Sequence, residues 1–238
     1  MALDTTYRTD LEESMDDFSM DNDGLVTALD DIARINQFLG GNSVTLEGVQ
    51  HLIKDFPKDQ TITIMDFGCG SGDMLRMLWK FGKENNLKFQ LIGIDANEAT
   101  IRHAEKCSVN FINITYLAED IFLYDFSKYK IDIALITLTL HHFKDDEIFK
   151  IMSVILNLVK KGIVVNDLHR SKIAYRLFQM IIFIFRLKKM TAQDGLISIL
   201  RGFKREDLEK FSKELALKKY SIKWKWAFRY QWIIQKIN

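Results

Sequence analysis

Three glycines at every second position follow a short apolar run that ends in an acid. The run covers residues 62–66, and Gly68, Gly70 and Gly72 are followed at once by Asp73. Glycine has no Cβ and tolerates positive φ, so such a loop lets a ligand lie directly against backbone N–H groups. Carboxylates on both sides of the loop favour a cationic ligand group. The pattern predicts a binding loop for a cationic small molecule or, without a ligand, a tight strand-to-helix turn.

The glycine spacing differs from that of dinucleotide-binding loops. Those loops read G-x-G-x-x-G and place a pyrophosphate at a helix N-terminus. Here the loop reads G-x-G-x-G, and the charge of Asp73 at the helix start would repel a pyrophosphate. A nucleotide-dependent oxidoreductase is therefore disfavoured, although it would also use an acid at the end of the second strand.

A second apolar strand, over residues 89–95, also ends in an acid. This acid, Asp95, lies 23 residues after Gly72, a separation typical of the loop and the second strand end in a strand–helix–strand unit. At that position a carboxylate accepts hydrogen bonds from both hydroxyls of a ribose. Taken alone, Asp95 could instead cap the helix that begins near Asn97. Beside the glycine loop, the ribose role is the better interpretation.

Three histidines lie near strand ends. His141 and His142 follow a strand over residues 131–140, and His169 lies near the end of a strand over 162–170. Ligands of open α/β sheets bind beyond the carboxyl ends of strands, and histidine has the pKa needed to accept a proton from a weak nucleophile. Adjacent side chains point in different directions, so one of the pair faces the substrate, and we favour His142. Helix capping or a backbone hydrogen bond explains each histidine equally well.

Taken together, these motifs resemble those of class I S-adenosylmethionine (SAM) methyltransferases over roughly residues 60–168. The His-His-Phe ending of the fourth strand resembles small-molecule methyltransferases of ubiquinone and menaquinone biosynthesis. The string at 166–170 resembles bacterial methyltransferases found beside polyketide synthases. The resemblance implies SAM as the cofactor and S-adenosylhomocysteine (SAH) as the product.

The resemblance also implies a set of cofactor-binding residues. Asp120 would accept a hydrogen bond from the adenine amine, and the Ile121 N–H would donate to the ring; without the other motifs, this pair is a surface turn. The expected cofactor residues are Asp66, Gly68, Cys69, Gly70, Gly72, Asp95, Ala96, Asp120, Ile121 and Thr137.

Methyl transfer to a small, largely apolar acceptor is the implied reaction. The expected acceptor atom is a phenolic, polyketide-like or carboxyl oxygen of secondary metabolism, with a histidine as base. C-methylation of a quinone-like ring and a non-catalytic SAM-binding scaffold or regulatory protein are the alternatives. Residues 137–140 lack the proline pair of enzymes that methylate amino groups of adenine or glutamine.

Strand and helix patterns alternate from residue 61 to 167, which predicts a parallel sheet with right-handed crossovers. The expected fold is α/β, a Rossmann-like class I methyltransferase fold with a seven-stranded, mostly parallel sheet. Its helices are predicted over 72–84, 97–107 and 145–160, its third strand over 110–116 and its C-terminal antiparallel hairpin over 220–226 and 228–237.

Additional elements flank this core. Residues 1–56 are predicted to form a helical lid before the SAM-binding domain of residues 57–238, with one helix ending at Gly40 and another over 44–55 capped by Ser43. After the fifth strand, an apolar helical insertion spans about 171–203. Its apolar run, residues 173–185, is too short for a membrane span and is interrupted by Arg176 and Gln179. We expect this insertion to cover the substrate pocket, to contact a second copy in a homodimer or to lie on a membrane surface.

Six residues are candidates for substrate binding. For those from the N-terminal part, a surface or interhelical contact is the better interpretation. Arg170 could pair with an acidic substrate group or with Asp167. The candidates are Tyr7, Arg34, Asn36, Arg170, Tyr175 and Phe178.

Composition narrows the possible partners. A net charge of +1 over 238 residues excludes a general nucleic-acid surface, so we expect a small apolar or aromatic substrate and no nucleic acid. Residues 1–31 are acidic and residues 201–238 are basic. These segments form two solvated faces or pair with each other. The two cysteines form neither a disulfide framework nor a zinc motif, and the scattered histidines predict no metal. The start of the chain lacks signal-peptide features, which predicts a cytoplasmic location.

Overall fold

The strands of the chain form one sheet, seen in a computed structural model that describes residues 3–57 and 59–237. The strands are β1 (Thr61–Phe67), β2 (Lys88–Asp95), β3 (Ile114–Ala118), β4 (Ile131–Thr137), β5 (Val159–Leu168), β6 (Tyr220–Lys225) and β7 (Arg229–Gln235). Their order is β3-β2-β1-β4-β5-β7-β6. The first five are parallel, and β7 runs antiparallel to both β5 and β6. The predicted fold is confirmed.

Helices cover both faces of the sheet. They are α1 (Asp23–Phe38), α2 (Gly41–Ile53), α3 (Asp73–Glu84), α4 (Glu98–Cys107), α5 (Asp145–Leu158), α6 (Lys172–Phe185), α7 (Lys189–Arg201) and α8 (Arg205–Glu214). The central strand β4 is buried along nearly its whole length, as a parallel strand between two helical layers must be. Its two faces contribute to separate apolar clusters, one with α5 and α8 and one with α2 and α3. This packing fixes the carboxyl ends of β1, β2 and β4 at one edge.

Several predicted boundaries are wrong. The fourth strand ends at Thr137 and not at residue 140, and the fifth strand covers Val159–Leu168 and not 162–170. Helix α2 begins at Gly41 and not after Ser43, because Gly40 takes a positive φ of 70° and turns the chain directly out of α1. The third strand begins at Ile114 and not at residue 110. Asn113 precedes it with φ 68°, a left-handed conformation that asparagine tolerates and that breaks the extended run.

The N-terminal region is helical only in part. Before α1, residues 3–13 are not helical, and a short 3₁₀ turn covers Ser14–Asp16. This segment crosses α7, where the Thr9 N–H donates to the Leu200 carbonyl at 3.3 Å. The segment is rich in acids, and its apolar residues do not recur at helical spacing. Its conformation therefore depends on contacts with distant parts of the chain. The expectation about the chain start concerns Met1 and Ala2, which lie outside the described residues.

The apolar insertion contains two helices, not one. Arg186, in the left-handed region with φ 52°, ends α6, and α7 follows within a few residues. Ala174 of α6 is buried, whereas Met180, Phe183 and Ile184 are exposed. Within residues 3–57 and 59–237, no helix has the length and apolar character needed to cross a membrane. Contact of α6 with a second copy or with a membrane surface stays a prediction.

Candidate active site

A cavity of about 530 Å³ lies at the carboxyl ends of β1, β2 and β4. The loops after these strands form its floor. Side chains of α1, α6 and α7, the Ser14–Asp16 turn and the β6–β7 turn cover it. Its walls are mainly apolar, with Leu25, Leu29, Phe178 and Ile181 among them. Such a cavity at this edge of an α/β sheet is the expected binding site for a small molecule.

The glycine loop forms one wall of the cavity. The N–H groups of Gly68 and Cys69 both donate to the Ile94 carbonyl, at 2.8 and 2.9 Å, which ties the loop to β2. Gly68 and Gly70 have φ values of 73° and 52°. A Cβ on Gly68 would lie 2.4 Å from the Thr139 methyl group, whereas a Cβ on Gly70 would meet open space apart from a leucine methyl at 3.7 Å. The backbone at Gly70 is therefore directly accessible to a ligand.

Alanine substitutions in the loop are expected to separate packing from ligand access. Gly68→Ala adds a clash to an unfavourable φ and should lower the free energy of unfolding by roughly 2–4 kcal/mol. Gly70→Ala has the φ penalty alone, about 1–2 kcal/mol, but places a methyl group in the cavity. Urea denaturation of the two proteins without ligand measures the difference. Equal losses would contradict the contact assigned to Gly68.

Asp66 is a buried acid under this loop. Its side chain is 1% exposed, and its Oδ1 has no hydrogen-bond partner among the described residues. Burial raises the pKa of Asp66 to about 8, and the carboxylates of Asp73 and Asp95 add to the effect. The Asn42 amide donates to Asp73 Oδ2 at 2.5 Å. This end of the cavity therefore has an unsatisfied acceptor that suits a cationic hydrogen-bond donor.

Asp95 lies at the end of β2, as predicted. Its Oδ2 accepts from the Gly70 N–H at 3.2 Å and its Oδ1 from the Asn97 N–H at 3.1 Å. Burial raises the pKa of Asp95, and these two N–H groups oppose the rise. Each carboxylate oxygen has a second lone pair for a ligand hydroxyl. The carboxylate is thus held in place with acceptor capacity to spare.

The other expected cofactor residues mostly line the same cavity. Asp120 Oδ1 accepts from the Phe122 N–H at 2.7 Å, which leaves Oδ2 for a ligand, and Thr137 shares a 3.0 Å hydrogen bond with Thr45. Gly72 lies behind the lining, where a Cβ would lie 2.1 Å from the Tyr116 hydroxyl. The lining includes Asp66, Gly68, Cys69, Gly70, Asp95, Ala96, Asp120, Ile121 and Thr137.

His141 is enclosed by acids. Its Nδ1 lies 2.7 Å from Asp167 Oδ1, its Nε2 lies 3.7 Å from Glu13 Oε1, and the residue is 2% exposed. Burial disfavours the charged form of Asp167, but the charge and hydrogen bond of His141 outweigh it and lower the pKa of the carboxyl. Asp167 therefore orients a histidine that has little room to meet a substrate.

His142 is the more accessible histidine. Its ring lies against that of His141 at a centroid distance of 4.3 Å and a tilt of 32°, and its side chain is 27% exposed. Nδ1 lies 2.6 Å from Asp16 Oδ1, and Nε2 has no hydrogen-bond partner among the described residues. With Asp16 accepting the Nδ1 proton, the free lone pair is on Nε2. This is the arrangement of a general base oriented by a carboxylate.

Two of the acids beside the histidines, Glu13 and Asp16, come from the N-terminal segment. Arg201 of α7 donates to Asp16 Oδ2 at 2.5 Å, and Ser198 donates to Glu13 at 2.6 Å. Burial opposes ionisation of Asp16, but His142, the Glu13 N–H and Arg201 hold the pKa of Asp16 well below its usual range. Residue patterns did not identify Glu13, Asp16 or Arg201 as site residues. The one sequence feature that pointed to these contacts was the charge asymmetry, since the acidic start of the chain could pair with its basic end.

Several predicted residues lie away from the cavity. His169 Nδ1 accepts from the Trp224 indole at 3.2 Å. Arg170 is buried, donates to the Gly202 carbonyl at 2.5 Å and pairs with Asp207, not with Asp167. Tyr7, Arg34 and Tyr175 are also outside the lining, whereas Asn36 and Phe178 belong to it.

Comparison with known proteins agrees with this geometry. Residues 64–162 match a protein family described as a methyltransferase domain. No curated protein matches the chain. The matched range begins in β1, includes the glycine loop and the histidine pair, and ends in β5. The family match therefore falls on the part of the chain that forms the floor of the cavity.

Solved structures share the fold. The plantazolicin methyltransferase BpumL in complex with SAH has a TM-score of 0.68 at 17% identity, over 88% of this chain and 89% of that chain. The magnesium protoporphyrin IX methyltransferase of Synechocystis PCC 6803 with bound SAH has a TM-score of 0.57 at 15% identity, over 87% and 86% of the two chains. The match to a methyltransferase domain covers residues 64–162, and the chain as a whole shares the fold of these solved methyltransferases.

Proposed function

We propose that the protein transfers a methyl group from SAM to an oxygen of a small, largely apolar acceptor. The observation that carries the proposal is the Asp16–His142 pair, which places a free imidazole nitrogen in the same cavity as the glycine loop. Phenols are weak nucleophiles at neutral pH because they are largely protonated. A base in this position would remove the proton and so activate the oxygen.

The cavity fits SAM at three points. The unpartnered Asp66 Oδ1 suits the ammonium group, the exposed backbone at Gly70 suits close approach of the amino-acid portion, and Asp95 suits the ribose hydroxyls. Asp120 and Ile121 would hold the adenine. When bound, SAM supplies an electrophilic methyl group on a sulfonium. Structures of similar fold contain SAH, which supports the same cofactor here.

The protein would act on the acceptor by orientation and proton removal. His142 Nε2 accepts the hydroxyl proton while Asp16 keeps the ring in the required tautomer. Apolar side chains such as Leu29, Phe178 and Ile181 select an apolar or aromatic ring. The N-terminal region, with α6 and α7, acts as a lid that excludes water from the reacting groups.

Loss of Asp95 is expected to remove cofactor binding. In calorimetric titrations, wild type should bind SAM and SAH and not NADH, and Asp95→Ala should bind SAH roughly 10–100-fold more weakly, because two charge-assisted hydrogen bonds to ribose disappear. Asp125→Ala is the matched control, since Asp125 is exposed and hydrogen-bonds only locally with Ser127. Absence of SAM and SAH binding to wild type, or binding of NADH, would contradict the proposal.

The acceptor atom is tested by the products. Wild type supplied with SAM and a panel of phenols and aryl carboxylic acids should form methyl ethers or esters, identified by NMR. Ring methylation in place of these products would assign C-methylation and contradict the oxygen acceptor.

A further inference from the structure

Arg229 is a buried cation that the proposed reaction does not use. It begins β7, opposite Leu168 of β5, and it lines the cavity at 3% exposure. One nitrogen, Nη2, donates to Asn36 Oδ1 at 2.6 Å. The other two, Nε and Nη1, have no hydrogen-bond partner among the described residues. A guanidinium in this position has donors available for a ligand.

Among the described residues, no carboxylate forms a salt bridge with this guanidinium. Burial lowers the pKa of Arg229 to about 10, and the nearby carboxylates of Asp167 and Asp73 counteract only part of the effect. Asp167 hydrogen-bonds to His141, and Asp73 hydrogen-bonds to Asn42. An uncompensated buried charge is strongly destabilising, so a fold retains one where a ligand completes its hydrogen bonds.

We propose that Arg229 binds a carboxylate group of the methyl acceptor. This inference rests on the proposed function and narrows its substrate class to small aromatic or apolar carboxylates. A single guanidinium matches a single negative charge, and arginine is well suited to carboxylates. Trp226 and Phe228, from the turn before Arg229, line the same cavity and suit an adjoining aromatic ring.

The position of Arg229 favours the acceptor over the cofactor as the source of the carboxylate. In the sheet, β4 and β5 separate β7 from β1, which holds Asp66. At about 4.8 Å between neighbouring strands, the two backbones are roughly 14 Å apart. The ammonium and carboxylate groups of SAM are attached to the same carbon atom, so with the ammonium at Asp66 we assign Arg229 to another ligand, and the SAH affinity of the Arg229 variant tests this assignment.

The bound carboxylate is an anchor and not the nucleophile. A guanidinium stabilises the carboxylate charge and so reduces its tendency to attack a methyl group. The methylated oxygen is then a separate hydroxyl that His142 deprotonates. The expected product of a hydroxyaryl carboxylate is therefore a methyl ether with a free carboxylate.

The test compares Arg229→Met with Arg205→Met, an exposed arginine at the start of α8 that pairs with Glu209. Calorimetry of each full-length protein measures the affinity for SAH. A second titration, with and without SAH, uses 4-hydroxycinnamate and its uncharged amide. Wild type and Arg205→Met should prefer the carboxylate by roughly tenfold or more, and Arg229→Met should lose this preference and keep its SAH affinity.

Thermal unfolding distinguishes a binding role from a structural one. Because Arg229→Met removes a buried charge with unpaired donors, its Tm without ligand should equal or exceed that of wild type. A lower Tm with an unchanged carboxylate preference would overturn the inference, and so would a wild type that does not prefer the carboxylate. A loss of SAH affinity alone would assign Arg229 to the cofactor carboxylate. A wild type that binds no SAH refutes the proposed function, while the probe titration without SAH still tests Arg229.

Discussion

His142→Gln is expected to lower kcat by about 10²–10⁴-fold while SAH affinity stays unchanged. Glutamine keeps a similar length and can still hydrogen-bond to Asp16, but it cannot accept the acceptor proton. The neighbouring variant His141→Gln should behave differently, because His141 is enclosed and paired with Asp167. It should lower Tm, with a smaller loss of kcat per folded molecule. The measurements are kcat at saturating SAM, Tm and SAH affinity.

The pH dependence separates a base from a structural histidine. An acceptor phenol ionises by itself near pH 10, so the deficit of His142→Gln should shrink as the pH approaches that value. A structural defect would persist at every pH. Unchanged kcat in His142→Gln would show that no base acts on the acceptor, which is the behaviour of a ring already activated for C-methylation.

The strands and the glycine loop are visible in the sequence because their signals are local. An uninterrupted apolar run such as residues 133–136 is typical of a strand buried on both faces. A glycine required by positive φ, such as Gly68, is similarly marked by its own residue type. These features need no knowledge of distant contacts, so the fold and the cofactor side of the site could be predicted.

The acceptor side depends on contacts between distant parts of the chain. Asp16 meets His142 across 126 residues and Arg201 across 185 residues, and Arg229 meets Asn36 across 193 residues. No local period marks such contacts. They follow from the path of the N-terminal segment over α7 and from the return of β7 beside β5.

His169 and Arg170 show how a small shift at a strand end changes a prediction. Strand β5 ends at Leu168, and His169 then forms a bridge with Phe203. The chain at this point joins the α7–α8 connection, where Arg170 binds the Gly202 carbonyl and Asp207. The end of a strand indicates the edge of a site, but the next element along decides which side chains enter it.

Asp66→Asn is expected to stabilise the protein without ligand at alkaline pH. The pKa of Asp66 is about 8 in the folded protein against an ordinary 3.8, so between these values the folded state keeps a proton that the unfolded state has lost. Stability therefore falls as the pH rises through this window and levels off above about pH 8. The full difference corresponds to roughly 5–6 kcal/mol, and asparagine removes it.

Urea denaturation at about pH 4 and about pH 8 measures this effect. Wild type and Asp66→Asn should differ little at the lower pH and most at the higher pH. The control is Asp132→Asn, a buried aspartate that accepts from the Thr63 N–H at 2.9 Å and lies 3.6 Å from Lys160. It should lose stability, because its charge is compensated. An Asp66→Asn protein less stable than wild type at pH 8 would show that the Asp66 carboxylate is stabilised in the folded protein by a hydrogen bond or a positive charge.

The same acid links SAM binding to proton release. Near pH 6.5 Asp66 is protonated and the amino group of SAM is cationic, so placing that ammonium beside Asp66 lowers the pKa of the carboxyl and expels about one proton. Calorimetry in buffers of different ionisation enthalpy counts the protons released. Asp66→Asn should release none, and it should bind SAM more weakly because the ammonium loses its counter-charge. Equal proton release by the two proteins would place the cofactor ammonium away from Asp66.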